Sequence, residues 1–97
     1  MEEKIMPDKI QEIGKRGSVI NLVVFNTNPK REIFRDHGNI KLAEPITPGS
    51  SIKEFSDDSG VGFGVTNTVR SIEPSKEEGK YIVKTVVYRE CEVTLLN

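Results

Sequence analysis

Apolar and polar residues alternate with a period of two through much of this chain, as they do in β-strands. The strongest case is residues 18–27, where apolar side chains occupy both faces: Ile20, Leu22 and Val24 on one, and Val19, Val23 and Phe25 on the other. A strand that is apolar on both faces is covered on both sides by the rest of the fold. This segment is therefore predicted to be a central strand of a sheet.

The last third of the chain has the pattern of a long antiparallel hairpin. Two runs rich in Val, Ile, Thr and Tyr, residues 61–72 and 80–96, flank the polar segment 73–79, which contains a proline and a glycine. The second run is longer than most strands. We therefore expect a bulge or bend within its residues 84–90, where the alternation breaks, so that one bent strand serves two sheets.

The middle of the chain carries shorter apolar runs interrupted by turn residues. Residues 32–35 and 40–43 are predicted to be two short strands joined by a turn at Asp36-His37-Gly38-Asn39. Residues 51–55 are predicted to form a further short strand, with Ile52 and Glu54 on one face. Turn residues at positions 57–60 then close it.

Near the N-terminus, residues 7–13 are predicted to form a short helix or an irregular arm, since Ile10 and Ile13 share a helical face and glycines follow. The length of 97 residues allows one domain with a single small core. We expect a mainly β fold, a small antiparallel barrel or compact sandwich of five to six strands. Residues 1–17 would form the arm or helix and residues 18–97 the β core.

The net charge of −1 argues against a nucleic-acid binder held by a global positive field. The charge is unevenly distributed, because residues 15–41 contain six basic side chains against two acidic ones. Two interpretations stay open: an ordinary solvated surface, or a positively charged contact surface. For the second, the predicted partner-binding residues are Lys30, Arg31, Phe34 and Arg35, in which one aromatic ring lies among three cations.

The sequence offers no recognisable catalytic, metal or cofactor motif, and we predict a protein that is not an enzyme and needs no cofactor. Cys91 and His37 are the single representatives of their types and lie in no known catalytic signature. Asp57 and Asp58 lack calcium-loop spacing, and the glycines of residues 60–64 fit neither phosphate-binding pattern. Those glycines could instead allow close packing or contact a ligand, and both interpretations stay open.

The single cysteine points to a reducing compartment. The N-terminal residues are charged and lack the apolar segment of a secretory signal, so we expect a cytoplasmic protein. The longest apolar run, residues 22–25, is far too short to span a membrane as a helix.

The pattern Pro48-Gly49-Ser50, followed by residues 65–73, residues 81–85 and Tyr88, resembles the C-terminal hairpin of small phage-encoded accessory proteins. The resemblance covers residues 48–90. It implies a protein that binds and modulates a host protein, and it transfers no functional residue.

Taken together, these patterns favour a non-enzymatic binding protein that masks or modulates a protein partner. It could act as a homodimer through an exposed strand edge. The alternative is a small β-barrel that binds single-stranded nucleic acid through the basic residues 15–41.

Overall fold

The computed structural model describes residues 10–28, 30–56 and 63–96. These residues form six antiparallel strands in one sheet, with the spatial order β2-β1-β6-β5-β4-β3. The strands are β1 (Val19–Asn26), β2 (Glu32–Lys41), β3 (Ser51–Ser56), β4 (Phe63–Pro74), β5 (Lys80–Thr85) and β6 (Arg89–Leu95). The sheet curls into a half-barrel, which confirms the predicted mainly β antiparallel fold.

Strand β1 lies between β2 and β6, as expected for the most apolar strand of the chain. Its residues Ile20, Leu22 and Val24 face the concave side and are buried. They pack with buried apolar residues of β3, β4, β5 and β6 and of the chain segments beside the strands, while Phe34 and Ile40 of β2 are partly buried against them. The buried apolar cluster consists of Ile13, Ile20, Leu22, Val24, Leu42, Ile46, Ile52, Val69, Ile72, Val83, Cys91 and Val93.

The prediction of two short strands around residues 36–39 is wrong, because β2 runs unbroken from Glu32 to Lys41. The register against β1 shifts twice, skipping His37 and Phe34, and the shift at His37 accommodates the turn-like residues as a β-bulge. Gly38 adopts a φ of 65°, and its amide donates to Asp36 Oδ1 at 2.9 Å. These residues therefore make their local turn-like contact inside the strand, while β2 pairs with β1 both before and after the bulge.

The expectation of one bent strand over residues 80–96 is also wrong. The chain reverses at residues 86–88, so that β5 and β6 form a second hairpin beyond the β4–β5 hairpin. Strand β4 instead divides its length between two neighbours: its residues 63–68 pair with β3 and its residues 69–74 with β5. A register shift between Val69 and Ser71 marks the change of partner.

The chain before β1 contains no helix in its described residues 10–18. Ile13 instead exchanges two backbone hydrogen bonds with Ile46, at 2.9 and 3.0 Å, and is buried. Residues 10–18 therefore form an irregular arm rather than a helix, and residues 1–9 lie outside the described residues.

The glycines of residues 60–64 are only partly covered by the structure. Gly60 and Gly62 belong to residues 57–62, which lie outside the described residues, and Gly64 is an exposed residue of β4. The described residues contain no helix with the length and apolar character needed to cross a membrane.

Candidate functional site

The turn between β5 and β6 carries three consecutive exposed apolar side chains. Val86 is 58% exposed, and Val87 and Tyr88 are each 65% exposed. Among the described residues, the other large apolar side chains with such exposure are Ile33 and Leu96, and each of these stands apart in the sequence. Residues 86–88, called here the apolar tip, are thus the main concentration of exposed apolar side chains in the described part of the chain.

The backbone of the apolar tip is tied to two other strands or their ends. The amide of Val86 donates to the Thr68 carbonyl at 3.0 Å, and the amide of Thr27 donates to the Tyr88 carbonyl at 3.1 Å. These two bonds hold the tip between β4 and the end of β1. The apolar side chains are therefore presented from a fixed backbone.

Thr85 and Arg89 close the turn from either side of the tip. The Thr85 hydroxyl donates to the Arg89 carbonyl at 2.8 Å and accepts from the Arg89 amide at 3.2 Å. Tyr88 adopts a φ of 42°, in the left-handed region that side-chain-bearing residues rarely occupy. An exposed aromatic residue thus occupies a strained backbone position.

Directly after the tip, the Arg89 side chain turns into the concave side of the sheet. Its Nε donates to Asn26 Oδ1 at 3.0 Å, and its guanidinium carbon lies 3.9 Å from the centre of the Phe34 ring. One terminal nitrogen lies 4.0 Å from Glu54 Oε2. Stacking and hydrogen bonding together fix the orientation of this side chain.

Glu54 is a carboxylate in the interior, with a side-chain exposure of 2%. His37 Nε2 lies 2.9 Å from its Oε1, and Asn67 Nδ2 donates to its Oε2 at 2.5 Å. These residues and Arg89, called here the polar cluster, come from four different strands: His37 from β2, Glu54 from β3, Asn67 from β4 and Arg89 from β6. A buried carboxylate is tolerable only because these donors and the nearby cation surround it.

The His37–Glu54 contact joins the two outermost strands of the sheet. β2 and β3 are at opposite ends of the strand order and are not paired with each other. The bulge in β2 lies beside His37, and bulges redirect side chains in this way. The polar cluster therefore closes, through side chains, a barrel that backbone pairing leaves open.

A cavity of about 460 Å³ lies between the polar cluster and the apolar tip. Asn26, Asn67, Thr85 and Arg89 contribute its polar lining, and all three tip residues border it. A second depression of about 360 Å³ lies on the other side of the tip, bordered by Arg70 and Lys84 among others. The apolar tip is thus flanked by two concave surfaces that a partner could fill.

No known protein family, curated protein or solved structure matches this chain. The function must therefore be argued from the site itself.

The predicted partner-binding residue Arg31 is engaged within the protein. Its guanidinium lies 3.8 Å from the centre of the Phe25 ring and bonds Glu90 at 2.8 Å and Glu92 at 2.7 Å. The hydrogen bonds to these two carboxylates are the main reason that its pKa is raised. Arg31 therefore covers the convex face of the sheet.

The other three predicted residues occupy different environments. Phe34 is half-buried, packs against the core and lies beneath Arg89. Arg35 is half-buried at 5.9 Å from the same ring, while Lys30 is exposed. The structure thus brings Phe34 and Arg35 together but does not gather all four residues into one open surface.

Cys91 is buried in the core, as its position in an apolar run predicts. Burial raises its pKa to about 12, with the negative charge of Glu54 contributing in the same direction. At neutral pH the sulfur is therefore a thiol, which is a poor nucleophile. His37 Nε2 contacts the carboxylate of Glu54.

We expect Cys91 to react very slowly with a disulfide reagent such as Ellman's reagent in the folded protein and rapidly in urea. The unfolded thiol ionises near its ordinary pKa, so the free energy of unfolding should fall as the pH rises from about 9 towards about 12. Spectrophotometric thiol titration and urea melts at each pH measure both effects. Complete modification of the folded protein within minutes at pH 7.5 would contradict the buried position.

Proposed function

We propose that this protein is a non-enzymatic binding protein that uses the apolar tip to bind and modulate a protein partner. The observation that carries the proposal is Tyr88, an exposed aromatic side chain in a left-handed backbone conformation. Non-glycine residues in this conformation cost on the order of 1–3 kcal/mol, and such strain is concentrated at binding and catalytic positions. Exposed aromatic residues are also the commonest anchors of protein interfaces.

The hydrogen bonds around the tip support the same conclusion. A fixed backbone loses little conformational entropy on binding, which favours affinity. The concave surfaces on either side allow the partner to enclose the tip rather than merely touch it. A preorganised apolar projection between two depressions is a suitable geometry for a protein interface.

The charges near the tip indicate the chemistry of the partner. Arg70 is exposed and forms no ion pair with another described residue, while Lys84 is partly neutralised by Glu73 at 3.5 Å. The partner is therefore a protein with an apolar pocket and an acidic rim. The resemblance of residues 48–90 to phage accessory proteins includes the tip, and it extends the proposal to a host-modulating factor.

The test compares two matched double variants in affinity capture from the source cells, with and without nuclease. Val87→Ser with Tyr88→Ser should abolish recovery of a stoichiometric protein. Ile33→Ser with Leu96→Ser removes other exposed apolar side chains and should leave recovery unchanged. Equal recovery with both variants would contradict the proposal, as would recovery that nuclease treatment removes.

The Tyr88→Gly variant distinguishes the effect of Tyr88 on the free energy of unfolding from its effect on partner affinity. Glycine adopts a φ of 42° without strain, and the lost side chain is exposed, so the free energy of unfolding should rise by about 1 kcal/mol. Partner affinity should fall at least tenfold. Urea denaturation and a binding titration with the captured partner measure the two changes; a destabilised Tyr88→Gly protein would show that the ring supports the fold.

The alternative, binding of single-stranded nucleic acid through residues 15–41, stays a prediction. Both phenylalanine rings near that region, Phe25 and Phe34, have one face covered by a guanidinium of the same chain, which reduces the surface for base stacking. Fluorescence anisotropy with a single-stranded oligonucleotide at about 0.15 M salt tests it. Tight binding that weakens steeply with salt, and that Lys30→Glu with Arg35→Glu removes, would favour the alternative.

A further inference from the structure

A separate groove of about 600 Å³ runs between the two outermost strands of the half-barrel. Its lining is mainly apolar and includes Leu22, Ile40, Leu42, Ile46 and Ile52. The volume lies within the range of about 300–1,000 Å³ that small-molecule sites occupy. Open barrel mouths lined by apolar residues are a common location for such sites.

One wall of the groove is formed by His37. Its ring is held by Glu54, whose second oxygen is held by Asn67, so the imidazole cannot rotate freely. The groove therefore has one fixed polar group among apolar side chains. This combination gives a ligand both an apolar environment and a defined orientation.

The charged side chains at the border of the groove indicate the charge of the ligand that it would bind. Lys41 from β2 and Lys53 from β3 border it, and both are exposed without an ion pair to another described residue. Glu44 is the one carboxylate among the lining residues that the structure describes, so cations outnumber anions there. An anionic head group would be attracted to this border while an apolar chain occupies the groove.

We propose that this groove binds a small carboxylic acid with an apolar chain, such as a medium-chain fatty acid. The proposal does not depend on the apolar tip, because no described residue lines both the groove and the depressions beside the tip. A ligand of this size should bind with a dissociation constant on the order of 0.1–1 mM.

The test is an NMR titration of the full chain with decanoate, below the concentration at which micelles form. We expect saturable shifts in the His37 ring nitrogens and in the amides of Leu42 and Ile52. Decylammonium has a similar chain with the opposite charge and should bind at least tenfold more weakly. Saturable shifts that are equal for the two compounds would overturn the proposed selection by charge, and the absence of saturable shifts with decanoate would overturn the site.

A pair of charge variants locates the head group. Lys41→Glu with Lys53→Glu should weaken decanoate binding at least tenfold. Lys30→Glu with Lys76→Glu changes the net charge equally at positions that do not line the groove, and should alter binding less than twofold. If both double variants weakened decanoate binding equally, the ligand would be attracted to net charge alone. If the saturable shifts were confined to residues 86–88, the ligand would bind at the apolar tip. Either result overturns the proposal. Amide spectra of both variants confirm that each is folded.

Discussion

Replacing Glu54 with Ala is expected to lower the free energy of unfolding by about 3–5 kcal/mol, the usual effect of breaking a buried ion pair by removing one partner. The substitution leaves Asn67 without its carboxylate acceptor and removes the buried carboxylate that lies 4.0 Å from Arg89. It also removes the bridge from β3 to His37 on β2. Urea denaturation followed by circular dichroism measures the change.

Glu73→Ala is the matched control, since Glu73 pairs with Lys84 at 3.5 Å but its side chain is 51% exposed. Exposed ion pairs contribute about 0–1 kcal/mol, so this variant should remain close to the wild type. Glu54→Gln retains most of the side-chain volume and should give an intermediate loss. Equal stability of the Glu54→Ala and Glu73→Ala proteins would show that the polar cluster does not hold the two outer strands together.

Ile72→Ala is expected to lower the free energy of unfolding by about 2–5 kcal/mol, because truncating a buried side chain loses apolar contacts and leaves a cavity. Ile72 is 1% exposed and belongs to the half of β4 that pairs with β5. Its removal acts at the joint between the two parts of the sheet. Thermal and urea melts report the loss.

Two further variants keep this result interpretable. Ile72→Val removes a single methyl group and should cost about 0.5–1.5 kcal/mol, so a graded loss is measurable even where Ile72→Ala is largely unfolded. Ile33→Ala makes the same truncation at a side chain that is 65% exposed and should have almost no effect. A loss at Ile33 equal to that at Ile72 would contradict the position of the core.

The parts of the fold that could be predicted are those in which local pattern and tertiary pairing agree. Residues 18–27 are apolar on both faces, and β1 is indeed flanked by two strands. The β4–β5 hairpin follows from a polar segment with proline and glycine between two β-rich runs. In both cases the residues nearby in sequence carry most of the information.

The errors arise where local preference and long-range pairing conflict. Four turn-type residues at 36–39 favour a turn, but pairing with β1 on both sides makes a bulged strand more stable. The reversal at residues 86–88 contains no glycine, proline or asparagine and therefore gives no local signal. Its left-handed residue is a tyrosine, which turn chemistry does not anticipate.

The polar cluster had a partial signal in the sequence. Alternation places Glu54 on the same face as Ile52, and that face is buried. A carboxylate is normally predicted to be solvent-exposed. The sequence does not indicate otherwise here, because the partners His37, Asn67 and Arg89 are distant from Glu54 in the sequence. Pairing of β3 with β4 brings Asn67 to Glu54, whereas His37 and Arg89 reach it only because the sheet is curved.

The strand order also constrains how the chain can fold as it is synthesised. Strand β6 is the last of the six to emerge from the ribosome, yet it lies between β1, the first, and β5. Until β6 is available, β1–β2 and β3–β4–β5 are separate ribbons, and the edges of β1 and β5 that β6 will cover are exposed to other chains. Incomplete chains are therefore the form most prone to aggregate, and chaperones that bind unpaired strands should act before β6 joins the two ribbons.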